Sequence, residues 1–173
     1  MLIRDNSAME KAMSIVYEDI VKARQALERK TVERLRLLRC DAANLLKEYS
    51  ESLSLPGSYW IDKNDKSRSY VDSGILSEDG GFRKSAIAAV KLDDDYRLNF
   101  LISTVVNDHH MTGGDAVVIA VSLHYEKGVL HVEVNGWENE FLIANQDAEG
   151  AYFEVCAAIK GLIILQLSDY RLE

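Results

Sequence analysis

His124, His131 and Glu140 are two imidazoles and a carboxylate at spacings that three neighbouring strands would bring into one row. Such a trio is an adequate ligand set for zinc or another divalent ion, and it leaves a coordination position for a water whose pKa the metal lowers. A second row beside it, Ser122, Glu133 and Glu138, would supply Glu133 or Glu138 as general base. The solvated face of an antiparallel sheet is expected to carry His, Glu and Ser for ordinary reasons, and opposed His and Glu form a common cross-strand pair. Zinc is therefore the alternative expectation, and no cofactor the first.

The loop Asn107 to Asp115 is the most polar and glycine-rich connection in the chain. Asp108, His109, His110 and Asp115 are metal-ligating types, and Thr112-Gly113-Gly114 would offer backbone amides to an anion. The loop joins two strands, where Gly and Asp are turn formers, and it lacks the strand-to-helix setting of a phosphate loop. Nucleophilic chemistry has less support. Cys40 and Cys156 fall in helical patterns with no neighbouring His to generate a thiolate, and no GxSxG, HExxH or dinucleotide fingerprint occurs.

The row of His and Glu depends on strand register, which follows from keeping apolar residues on one face. A two-residue reversal at Lys127-Gly128 sets Tyr125 against Leu130, Leu123 against Val132 and Val121 against Val134. Asn135-Gly136 is a strong type I′ signal and predicts Val134 opposite Trp137, Val132 opposite Asn139 and Leu130 opposite Phe141. A three-residue turn at Asp93–Asp95 would pair a strand over 86–92 with one over 96–106. Weaker strand candidates are Ser69–Leu76, turning through Gly80-Gly81 into Phe82, and Ser58–Asp62. The expectation is an antiparallel meander of five to seven strands over 69–144.

Helices flank this sheet. From Ser7 to Tyr49 there is neither Gly nor Pro, and Met9, Met13, Val16, Ile20, Ala23, Leu27, Leu35, Leu38, Ala42, Leu45 and Tyr49 recur at helical spacing. Ser7 and Glu10 have the spacing of a capping box. A straight helix of that length would span ~65 Å, against ~40 Å for a globule of this size. Either it bends or breaks near 28–34, where the stripe thins to Val32, or it projects and leaves Leu35, Leu38, Leu45 and Tyr49 for a partner chain to cover. Residues 53–68 read as a connector around Pro56-Gly57. The segment 147–168 reads as a helix apolar nearly all round, hence buried between the sheet and the N-terminal helix. The fold class is α+β: a long N-terminal helix over 1–52, the sheet, and a C-terminal helix packed on one face, in one domain spanning 1–173.

Charge divides unevenly. Residues 1–50 hold ten Lys/Arg and eight Asp/Glu, residues 51–173 ten and twenty. Within the first part, Lys22, Arg24, Arg29, Lys30, Arg34, Arg36 and Arg39 form a basic stretch. A net charge of −8 opposes a phosphate-dominated interface, so nucleic-acid binding is the weakest alternative. Met1–Glu10 lacks the apolar core of a signal peptide, and the apolar run Val155–Leu167 is broken by Lys160, which points to cytoplasmic residence with no membrane partner. Surface patterning without a catalytic set makes the leading expectation a non-enzymatic protein-binding module, of the size used for secretion chaperones, immunity proteins or adaptors. It would act through the open sheet face or the long helix, with a homodimer through that helix as one form. A metal-dependent enzyme or metal sensor is the alternative.

Overall fold

The computed structural model describes Met9, residues 12–136 and residues 138–172, the side chain of Tyr170 excepted. The Ser7–Glu10 capping box and the expected Trp137 partner of Val134 lie outside the described residues. By its internal contacts the chain divides into Met1–Arg34 and Leu35–Glu173.

Helix α1 spans Tyr17–Ser52 and contributes to both units. The chain leaves helical conformation at Ser14–Val16, and α1 restarts with the Val16 N–H donating to Asp19 Oδ2 at 3.0 Å. The break expected near 28–34 is not there, because α1 is helical throughout that stretch. Glu, Arg and Lys dominate it, and these straight-chain residues lose little rotamer freedom in a helix. Thinning of an apolar stripe removes a packing surface, not helix propensity; the interruption falls instead at the β-branched pair Ile15-Val16.

The second unit is a helical layer on an antiparallel sheet. Its strands are β3 (Val71–Leu76), β4 (Phe82–Lys84), β5 (Leu98–Val105), β6 (Ala116–Glu126), β7 (Val129–Val134) and β8 (Glu140–Ile143), in the order β4-β3-β5-β6-β7-β8. From β5 onward this is a meander, while the β3–β4 hairpin folds its second strand to the outer edge. A separate ribbon pairs β1 (Trp60–Ile61) with β2 (Ser67–Arg68) inside the expected connector. Asp62 closes its turn by accepting from Arg68 Nε and the Lys66 and Asn64 amides, and with Arg68 foremost these bonds hold its carboxyl down at about 2.

The strand expected over 86–92 does not form. Ile87–Ala89 is a short 3-10 helix, and only Leu92 bridges to Leu98. Asp93 Oδ1 accepts from the Asp95 and Arg97 amides and Oδ2 from Asn99 Nδ2, giving a wider turn that puts Tyr96 at φ 59°. Side-chain capping here competes with the ladder and wins.

Alternate residues of β5, β6 and β7, among them Leu98, Phe100, Ile102, Ile119, Val121, Leu123, Leu130, Val132 and Val134, form a continuous buried inner face. Leu38, Leu45 and Tyr49 of α1 are 0% exposed in the same cluster. These residues are therefore covered by the sheet, not left for a partner. Tyr49 is fixed there by a 2.8 Å hydrogen bond between its hydroxyl and Thr104 Oγ1. Arg39 donates to the Val90 carbonyl from Nε at 3.0 Å and Nη2 at 2.7 Å, tying the helix to the chain after the 3-10 turn.

Helix α2 (Phe153–Leu167) packs on the same face through Val155, Cys156, Ile159 and Ile163. It starts later than expected, since 145–152 are turns with Gly150 at φ 71°. It also lies beside α1, not beneath it: the Tyr152 amide donates to Glu48 Oε1 at 3.2 Å and Lys160 Nζ to the Ser52 carbonyl at 3.3 Å. Because both helices occupy one layer, burial of α2 is one-sided, and Phe153, Ile164, Leu165 and Leu167 are exposed. Among the described residues no helix is long and apolar enough to cross a membrane.

Candidate metal centre

The β6–β7 hairpin turns at Lys127 (φ 48°) and Gly128 (φ 80°) as expected, and it pairs Tyr125 with Leu130, Leu123 with Val132 and Val121 with Val134. The same register sets His124 opposite His131 on the outer face. Their rings stack with centroids 4.8 Å apart and planes 27° from parallel.

The next reversal departs from expectation. Asn135 and Gly136 do adopt positive φ, 51° and 106°, but the turn is two residues longer, and the Val134 amide donates to the Asn139 carbonyl at 3.0 Å. The cause lies on β6: the Asn135 amide donates to the Ala120 carbonyl at 2.8 Å, and Asn135 Oδ1 accepts from the Ala120 amide at 2.9 Å. Asn135 thus extends the β7 ladder and delays the turn. Val132 then faces Phe141, and Leu130 faces Ile143. A slip of two residues preserves which face each side chain occupies, so Glu140 stays outside. It faces Glu133 instead of His131, and reaches His131 diagonally, with Oε1 2.7 Å from Nδ1.

The outer row is consequently Ser122, Glu133 and Glu140, with Glu138 in the turn. Two carboxylates directly opposite would repel. Arg97 Nη1 offsets this by donating to Glu133 Oε1 at 2.8 Å, a partner that sequence reasoning missed because it depends on the widened turn at Asp93. Burial lowers the His124 pKa below its ordinary value, with the Arg97 charge and then His131 acting in the same direction. Among the described residues, Nδ1 of His124 and Oγ of Ser122 are buried with no hydrogen-bond partner. One ligating atom from each of His124, His131 and Glu140 lies within 4.8 Å of the others.

Comparison with protein-family models, with curated proteins and with solved structures finds no match.

The 107–115 loop is organised around its own bonds. Asp108 accepts from the Tyr70 hydroxyl at 2.8 Å, Asp115 from Asn107 Nδ2 at 3.0 Å, and His109 Nδ1 from the Met111 amide at 3.3 Å. His110 turns toward the β1–β2 ribbon, with Nδ1 3.4 Å from the Ile61 carbonyl. Among the described residues the only trio of metal-ligating side chains brought together is His124, His131 and Glu140. The Gly113 and Gly114 amides, candidates for an anion, donate to the His109 and Asn107 carbonyls. Between the loop and the ribbon lies an open groove of about 550 Å³ lined by Trp60, Arg68, Ser103 and Thr112, which nothing in the sequence marks.

Of the two cysteines, both in helices, Cys156 is buried and its thiol is pushed up to about 11 by burial, whereas Cys40 is exposed. In the basic stretch, Arg39 is committed to the Val90 carbonyl.

Proposed function

We infer that the chain is a non-enzymatic protein-binding module whose first partner is a second copy of itself, engaged through the N-terminal half of α1. One observation carries this reading. Ile20 and Leu27 are 59% and 54% exposed, although they continue, at helical spacing, the stripe whose later members Leu38, Leu45 and Tyr49 are wholly buried. Exposed apolar residues in a row, unlike scattered ones, mark an interaction surface.

A second copy fits by spacing and by charge. Ile20, Ala23 and Leu27 follow the three-four interval of a coiled-coil seam. Paired antiparallel about the point midway between Ala23 and Arg24, they set Ile20 of one copy against Leu27 of the other, with the acidic Glu18 near the basic Arg29. Exposed Phe153, Ile164 and Leu165 on α2 leave a further apolar face for the client of an adaptor or chaperone. Cytoplasmic residence belongs to the same reading and is supported by two unpaired cysteines.

Light scattering across a concentration series is the test. A dimer that Ile20→Asp with Leu27→Asp converts to a folded monomer is the expected result. A monomeric wild-type chain at every concentration, or a dimer indifferent to that double substitution, would refute the reading.

A further inference from the structure

We propose that the outer sheet face is a binding site for a divalent transition-metal ion of the zinc class, ligated by His124, His131 and Glu140 with one coordination position left open. This goes beyond protein binding and rests on none of its residues.

The ligand atoms already converge, lying within 4.8 Å of one another. Zinc–nitrogen bonds of ~2.0–2.1 Å in a tetrahedron place ligand atoms ~3.3 Å apart, so side-chain rotation alone closes the set. No backbone movement is required, because all three stand on paired strands and not on loops. Imidazole and carboxylate together favour zinc, nickel, copper or iron over magnesium and calcium, which prefer oxygen-only shells.

Two observations separate this site from ordinary decoration of a wet sheet face. The His131 side chain is only 15% exposed, shielded by the stacked His124 ring and by Glu140. Among the described residues His124 Nδ1 is buried with no hydrogen-bond partner, an unfavourable position for a polar atom in a protein interior. Solvated decoration meets water; this nitrogen does not. Arg97 would oppose a cation, but its charge is matched by Glu133 at 2.8 Å, which leaves Glu140 to offset the ion.

Beside the trio the outer face has an apolar depression of about 330 Å³, lined by Leu76, Leu101, Ala120 and Ser122 among others. A ligand donating to the open coordination position would rest an apolar group there.

The experiment is isothermal calorimetry with zinc chloride on tag-free, chelator-treated protein, joined by absorption spectroscopy of the cobalt-loaded chain. Wild-type protein is expected to bind one ion per chain and to show visible cobalt bands of a nitrogen- and oxygen-ligated site. His124→Ala is expected to weaken binding by more than the ~10–100-fold that loss of an outer-shell partner costs, and His109→Ala to leave it unchanged. Histidine nitrogen NMR of the wild type, titrated with zinc, provides a readout independent of variant folding: the His124 and His131 rings should shift first. Absence of uptake by the wild type would overturn the proposal, as would uptake that survives His124→Ala or first shifts in His109 and His110. A dimer that persists in chelator while zinc binding fails would remove the metal site and leave the protein-binding reading standing.

Discussion

The two faces of the β6–β7–β8 segment are made by the same backbone and obey different rules. On the inner face, Val121, Leu123, Leu130, Val132 and Val134 are buried in one apolar cluster. Burial there is non-directional, so any register of the correct parity satisfies it. On the outer face, His124, His131, Glu133 and Glu140 gain or lose partners with every two-residue step. The longer turn after Val134 left the inner face chemically unchanged, but moved Glu140 from His131 to Glu133 and made its bond to His131 a diagonal one. Apolar packing selects a face; hydrogen bonds in the turn select the neighbours.

The contrast is sharpest in adjacent residues. Leu123→Ala empties a position that is 0% exposed and should cost about 3 kcal/mol in urea unfolding, within the range for buried leucines. His124→Ala, one residue along on the other face, should change stability by about 0.5 kcal/mol or less, because it removes a buried nitrogen with no partner among the described residues along with its contacts. Equal losses for the two would abolish the distinction between the faces.

Between these extremes stands the residue that sets register. Asn135→Ala loses the bond from the Ala120 amide and places a Cβ-bearing residue without a compensating side chain at φ 51°, so a loss of about 1–2 kcal/mol is expected. If Asn135 holds the outer register, amide exchange at Ala120 should accelerate in this variant while that of Leu123 and Val132 stays slow. Uniform acceleration along β6 would mean that the turn supports the whole hairpin and not its outer neighbours alone.

A smaller effect is expected from the polar exception under the inner face. Asp41 is 4% exposed and accepts from the Tyr125 hydroxyl at 2.6 Å. Burial raises its pKa above 3.8, outweighing the lowering by the Tyr125 and Tyr152 hydroxyls. The folded chain therefore binds this proton more tightly than the unfolded chain. The stabilising contribution is complete below the ordinary carboxylate pKa and is lost as pH rises through the raised one. Asp41→Asn carries no such proton, so on acidification from pH 7 the wild type should gain stability relative to the variant. A gap that is flat or shrinks on acidification would show that the carboxylate is better accommodated ionised.

Much of this was legible in residue order. The helical stripe through Leu38, Ala42, Leu45 and Tyr49, the parity of every residue in β6 and β7, and the Lys127-Gly128 turn all follow from local periodicity and positive-φ tolerance, which a linear chain displays openly. So does the outward placement of His124, His131 and Glu140, since parity survives a slip of two. What waited for the tertiary structure were outcomes decided by distant partners. Asn135 spends its bonds on Ala120, fifteen residues earlier, and so lengthens a turn whose own residues favour a short one. Asp93 bonds Asn99 and trades a strand for a wide turn, which frees Arg97 to reach Glu133. α2 is apolar all round yet buried on one side only, because α1 had already taken the neighbouring place on the sheet. Periodicity records which side of an element avoids water; competition among distant groups for the same donors, acceptors and area decides what each side finally meets.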